Sequence, residues 1–231
     1  MSAAPAPAPP RPARRRRRPL HTEALLLVRA ALEIVVVAIF IVTFVAQPFR
    51  IPSASMQPTL TIGDFGMADK QSFAPEGIFA ALLPPAQVHH GDLMVFHYPV
   101  NPRMYLVKRV VGVPGDRIRL RGGRVWVNEQ PLAEPYAFYS PAPANPFRDD
   151  FPWLPRTMPA AAPPWWGEMR RGMRDGELTV PADEFFVLGD NRNDSEDSRY
   201  WGFVPRAEVV GRPLLVYFSL RQHLRSLRVL R

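Results

Sequence analysis

From Leu25 to Ala46 the chain reads LLLVRAALEIVVVAIFIVTFVA, the one long apolar stretch in its 231 residues. A helix crossing a bilayer needs about 20 such residues, so this stretch is long enough to span. Arg29 and Glu33 interrupt it. They stand four apart, on one helix face near the N-terminal end, where they can pair or reach the interface. Five consecutive arginines, Arg14 to Arg18, precede the run and hold that end in the cytoplasm. Everything after Ala46 then lies outside. A buried core helix would fit the uninterrupted part, Ile34 to Ala46. A cleavable secretory signal would need small residues at −3 and −1, and a cut after Ala46 puts Phe44 at −3. The segment is read as a retained anchor.

The net charge of +8 is concentrated at the two ends. Residues 1–19 hold Arg11 and Arg14 to Arg18 with no acid, and the last eleven residues hold Arg221, Arg225, Arg228 and Arg231, again with none. The body between them, 20–220, carries 19 basic and 21 acidic residues. A basic groove for nucleic acid is therefore excluded as a reading of the body. Cysteine is absent, which removes disulfides, thiol nucleophiles and thiolate metal sites. The Ala/Pro/Arg-rich start cannot bury apolar surface. The expected division is a disordered cytoplasmic tail at 1–22, an anchor helix at 23–46 and one extracytoplasmic domain at 47–231.

Past Gln47 the pattern turns to β. Asp92–Tyr98, Tyr105–Val113, Phe185–Leu188 and Leu214–Phe218 are short apolar runs rich in Val and aromatics. Arg117–Leu120 and Arg124–Val127 flank Gly122-Gly123, a two-residue hairpin signal. No helical period of any length is read between Pro48 and Leu220, and the 28 prolines favour loops and strands. The body is expected to be mainly β. A Pro-rich segment at about 128–178 interleaves Tyr136, Phe138, Tyr139, Phe147, Phe151, Trp153, Trp165 and Trp166. It reads either as a flap over a site or as an excursion packed on the sheet by its aromatics. In Ser219–Arg231, Leu220, Leu224, Leu227 and Leu230 share one helical stripe, with arginines off it. This reads as a basic amphipathic helix on lipid, or as a helix packed on the sheet or a frayed end.

Three blocks carry chemistry. Arg50-Ile51-Pro52-Ser53-Ala54-Ser55-Met56-Gln57-Pro58-Thr59-Leu60 holds two serines two apart. If extended, it presents both hydroxyls and the Ser55 N–H to one side, as a serine nucleophile beside an oxyanion donor requires. A loop with solvated serines fits the same letters. Tyr105-Leu106-Val107-Lys108-Arg109-Val110-Val111-Gly112 sets a lysine in an apolar β run, with Leu106 and Val110 on its own face. Desolvation there lowers an amine pKa, and a neutral amine can act as a base. Arg109 adds like-charge repulsion if it points inward. Gly189-Asp190-Asn191-Arg192-Asn193-Asp194-Ser195-Glu196-Asp197-Ser198-Arg199 is a dense polar loop after an apolar strand. The adjacent His89-His90 reads as a solvated turn, and no third or fourth metal ligand accompanies it. Neither a metal nor another cofactor is called for.

In this order, behind an apolar span, the three blocks resemble the type I signal peptidase family of Ser-Lys proteases. The resemblance covers roughly Phe49 to Pro205. It implies a β-rich catalytic domain of that type, with Ser55 as nucleophile and Lys108 as general base. It further implies Ser53 as the oxyanion-hole hydroxyl and Ser195 as the hydroxyl that orients the lysine. Asp190, Asp197 and Arg199 are implied as supports of the loop. Phe49, Ile51, Pro52, Leu60, Leu106 and Val107 are implied as the lining of apolar pockets for small side chains at −1 and −3. Ala54 stands where glycine is frequent in the family, and Asn193-Asp194 reverses the commoner Asp-Asn order. The implied partners are signal peptides of exported precursors and the bilayer. The implied location is the bacterial inner membrane, single-pass, with the catalytic domain on the periplasmic side. Ser55 is nine residues past Ala46, a reach of at most about 30 Å, so it is expected near the outer membrane surface.

Overall fold

A computed structural model describes residues 20–73, 87–152, 164–220 and 227–230. The chain divides into two compact units, one ending at Phe40 and one running from Ile41 to Arg231. The first is helix α1 (Leu20–Phe40). Its side chains from Glu23 onward are exposed, and Arg29 Nε pairs with Glu33 Oε1 at 2.8 Å. Glu23–Val45 is long and apolar enough to cross a membrane. The apolar run does not stay one helix to its end. Ile41–Val45 form a π-helical turn and Ala46 already belongs to a strand. Residues 1–19 of the expected tail lie outside the described residues.

The second unit is mainly β. Its strands are β1 (Ala46–Arg50), β2 (Asp64–Asp69), β3 (Leu93–Tyr98), β4 (Asn101–Gly112), β5 (Arg117–Arg121), β6 (Arg124–Val127) and β7 (Gln130–Pro131). Two short helices follow, α2 (Pro146–Asp149) and α3 (Pro164–Gly172). Then come β8 (Met173–Arg174), β9 (Glu177–Thr179), β10 (Glu184–Leu188), α4 (Ser198–Trp201), β11 (Val204–Pro205), β12 (Val209–Ser219) and β13 (Arg228–Val229). Among the described residues the larger sheet runs β1-β2-β12-β3-β4-β10-β11, with β13 on β12, and the smaller runs β7-β6-β5-β9-β8.

The apolar runs are continuous because several strands are covered on both faces. Along β3, Leu93 and Val95 enter one core cluster with Phe49, Ile51 and Val107, while Met94 and Phe96 enter another with Val110 and Phe185. Along β10, Phe185 and Val187 face that second cluster, and Phe186 and Leu188 face a third with Ile118, Leu120 and Leu178. The β5–β6 hairpin turns at Gly122-Gly123, both at positive φ (53° and 77°). Only a residue without Cβ adopts such a pair at no steric cost.

Two expectations need correction. The mainly β body also holds short helices between Pro48 and Leu220: α2 and α4, of four residues each, are too short for a 3.6-residue period to show, whereas α3, of nine, was missed. The C-terminal end is not one helix, because Arg228–Val229 pair with β12 and Leu230 enters the core beneath it. Strand pairing satisfies backbone groups that the leucine stripe says nothing about. Residues 221–226 and 231 of that stretch lie outside the described residues. For the aromatic segment, the contacts favour the excursion packed by its aromatics over the flap. Phe151 packs against Phe186 with the rings tilted and their centroids 5.3 Å apart. Trp165 and Trp166 both donate indole N–H bonds to the Tyr200 carbonyl, at 2.8 and 3.1 Å. Trp153 lies outside the described residues.

Candidate active site

Ser55 sits in the loop joining β1 to β2. The segment is not extended, as the sequence reading required. Gln57 N–H donates to the Ala54 carbonyl at 3.0 Å and Leu60 N–H to the Met56 carbonyl at 2.8 Å, so the chain turns. The two hydroxyls meet nonetheless, with Ser53 Oγ 3.2 Å from Ser55 Oγ. Met56 and Leu60 anchor the turn in the core at 1% and 0% exposure.

Lys108 enters from the middle of β4, opposite Met94 of β3. Its Nζ is 2.6 Å from Ser55 Oγ and 3.2 Å from Ser195 Oγ. The residue is 3% exposed. Burial pushes its amine from 10.5 down to about 8; Asp197 opposes the shift and Arg199 reinforces it. The repulsion therefore comes from Arg199. Arg109 points to the opposite face of β4, as alternation along a strand dictates.

There Arg109 grips Asp190 through Nε and Nη2, both at 2.7 Å, and donates Nη1 to the Gly91 carbonyl at 2.7 Å. Both partners are buried, at 4% and 0% side-chain exposure. A second buried fork joins Arg199 to Asp197, at 2.8 Å through both Nε and Nη2. Asp197 also accepts Gly189 N–H at 3.0 Å and caps α4. Burial raises its pKa, but the Arg199 guanidinium outweighs that and holds the carboxyl below the ordinary carboxylate range. Ser195 is thus held between Asp190 and Asp197, two residues each fixed by an arginine. Removing one member of a buried pair strands a charge in low dielectric and costs about 3–5 kcal/mol. Asp197→Ala is expected to lower unfolding free energy by about that amount. A drop below about 1 kcal/mol in denaturant titration would put the pair in the solvated class.

The loop is tied directly to the serine turn. Asn191 N–H donates to the Ser55 carbonyl at 3.0 Å. Gly189 packs so closely that a Cβ there would collide with Ser195 Oγ and the Ser55 carbonyl. Sequence reasoning missed a further support, the segment Glu134 to Ser140. Phe138 N–H donates to the Asp190 carbonyl at 2.7 Å, and Arg192 N–H returns a bond to the Phe138 carbonyl at 2.8 Å. Arg192, 1% exposed at its side chain, pairs with Glu134. The Tyr136 ring lies 3.9 Å from the Arg109 guanidinium carbon. Tyr136 stood out in the sequence only as one aromatic among many, and Glu134 carried no signal.

Phe49, Ile51, Pro52, Leu106 and Val107 line one cavity of about 260 Å³ beside Ser53 and Ser55. Leu60 does not join them. It is fully buried in the cluster beneath, where the Met56–Leu60 turn directs it inward. No group of three or more His, Cys, Asp or Glu side chains arranged to hold a metal occurs among the described residues. The arrangement that does occur places a hydroxyl, a desolvated amine, two further hydroxyls and an apolar pocket around one point. Such a set can deprotonate a serine and attack a carbonyl.

Residues 24–218 match the family model described as signal peptidase, peptidase S26. Signal peptidase I of Leptolyngbya laminosa is 36% identical over 195 residues, which cover 81% of this chain and 76% of that one. Signal peptidase I of Pseudomonas fluorescens is 34% identical over 193 residues, which cover 77% of this chain and 66% of that one. A crystal structure of a signal peptidase I from Enterococcus faecalis V583 matches 55% of this chain and 96% of its own, with 26% identity and a TM-score of 0.36. The chain belongs to the signal peptidase family, peptidase S26, and is a serine peptidase of that family.

Proposed function

We propose that the protein is a membrane-anchored endopeptidase that removes N-terminal signal peptides from exported precursors, with Ser55 as nucleophile and Lys108 as general base. The observation that carries this is the buried Lys108 amine 2.6 Å from Ser55 Oγ. A neutral Lys108 accepts the Ser55 proton as Oγ attacks the carbonyl. Ser195 Oγ, 3.2 Å from Nζ, holds the amine in line. Ser53 Oγ donates to the oxyanion as charge develops there. Lys108 then returns the proton to the departing nitrogen, and water releases the acyl group by the reverse sequence.

The cavity beside Ser55 is small, about 260 Å³, and lined mostly by apolar side chains, which favours small side chains at −1 and −3. Signal peptides present such residues just past an apolar core. Ser55 lies nine residues past Ala46, so an anchor at Glu23–Val45 keeps the site within reach of the bilayer. Arg14 to Arg18 before the anchor favour a cytoplasmic N-terminus and a periplasmic body at the bacterial inner membrane.

The test is cleavage of a precursor with an Ala-x-Ala site by the full chain in detergent. Absence of any cleavage by folded protein would leave an anchored binding module instead. Ser53→Ala is expected to lower kcat by about 10²–10³, the usual size of a lost oxyanion donor. An effect confined to KM would remove Ser53 from that role.

A further inference from the structure

A second, larger cleft of about 510 Å³ opens on Ser55 and contains Tyr98, Lys108, Asp194, Glu196 and Trp201 in its lining. It shares Ser53, Ser55 and Leu106 with the apolar cavity but differs from it in two ways. Lys108 lines only this cleft. Its wall is also acidic: Asp194 and Glu196 are both exposed, and among the described residues neither lies in an ion pair. The bound chain's direction follows from proton bookkeeping. When the peptide C–N bond breaks, the proton taken from Ser55 Oγ passes from Lys108 to the departing nitrogen. The nitrogen must therefore leave on the side that Lys108 reaches. The apolar cavity is left for the residues before the cut.

We propose that this cleft binds the first residues after the cut and selects them by charge, with Asp194 and Glu196 favouring a basic side chain at +2 or +3 and disfavouring an acidic one. The inference rests on the peptidase reading above. The same carboxylates face the free amino group created at +1 by cleavage, which is largely protonated near neutral pH with an ordinary pKa of about 7.7–8.0. Tyr98, partly exposed and backed edge-to-face by the buried Trp201 at 5.7 Å between centroids, offers a ring against which an aliphatic stem can lie.

The test uses peptides identical up to +1, with Lys or Glu at +2 and at +3. The full chain in detergent is expected to cleave the Lys peptides with kcat/KM about fivefold higher at low salt, the upper range for an exposed charge pair. The ratio is expected to fall toward one in about 0.5 M salt, where screening length drops below the size of the cleft. Glu196→Gln is expected to reduce the ratio as well. Glu196 also stabilises the Lys108 ammonium. Its removal therefore shifts both peptides' rates alike, and the ratio isolates the effect on substrate. Equal cleavage of the two charges at low salt, or a preference for Glu, overturns the proposal. A ratio unmoved by salt overturns it too, and that measurement needs no variant. Failure to cleave any of the peptides would sink the peptidase reading itself, a different result from cleavage without charge preference.

Discussion

Replacing Ser55 with alanine is expected to lower kcat/KM by about 10⁶-fold, the size of a nucleophile loss in a serine protease. The expectation rests on convergence. Lys108 Nζ, Ser53 Oγ and the Asn191 N–H that holds the Ser55 carbonyl all meet at this residue. Ser195 Oγ also accepts from Nζ, but at 3.2 Å and packed against Gly189 it is the poorer candidate for attack. The variant should fold, because Met56 and Leu60 fix the turn through the core and Asn191 bonds the Ser55 backbone rather than its side chain. Far-ultraviolet circular dichroism and the unfolding midpoint check that. Turnover within about 100-fold of wild type would place the nucleophile elsewhere.

Lys108 carries the second large effect, and it has both a kinetic and a thermodynamic arm. Lys108→Arg is expected to be inactive, down by about 10⁴-fold or more, because guanidinium does not lose its proton in this range. In wild type, kcat/KM should fall on the acid side as one proton adds to an amine whose pKa is about 8. It should hold as pH rises above that value. An unchanged acid limb in a partly active Lys108 variant would assign the base to another group.

The thermodynamic arm follows from the same burial. Folding lowers the pKa from 10.5 to about 8, so below pH 8 the folded state must hold a buried ammonium. Between the two values the unfolded chain binds more protons than the folded one, and stability rises with pH. Above 10.5 both forms are neutral and the penalty is gone. The full penalty is about 3 kcal/mol, at 1.36 kcal/mol per unit. Relative to Lys108→Met, wild type should therefore gain about that much stability between pH 7 and 10.5. A constant difference across that window would mean the amine is not desolvated. The site thus holds a base that is ready near neutral pH at a cost to the fold.

What the sequence determined is whatever depends on neighbours along the chain. The apolar run marks a span because hydrophobic length is a local property. Valine-rich and aromatic runs mark strands, and Gly122-Gly123 marks a hairpin, because pleat and positive φ are set residue by residue. The three chemistry-bearing blocks were likewise legible as blocks, although their meeting point was not.

Tertiary structure decided the rest, because the site joins residues far apart in the chain. Ser55 and Lys108 are 53 residues apart and Lys108 and Ser195 are 87. The β4–β10 pairing brings Lys108 beside the Ser195 loop, and the core that Ile51 and Met56 share with Val107, together with the Asn191–Ser55 bond, brings in the Ser55 turn. The same topology threads β12 between β2 and β3, an insertion that no local pattern announces. It also decides which side of β4 each neighbour occupies, so Lys108 reaches Ser55 while Arg109 reaches Asp190. Asp197 and Arg199 were implied as supports of the loop, but their burial was not legible; it arises because the loop folds in against the Ser55 turn. Leu60 read as pocket lining and is core, since one turn of backbone redirected it. Glu134 was invisible because its role is defined by a partner, Arg192, 58 residues away. Burial and partnership are properties of the folded chain, and local periodicity carries no record of them.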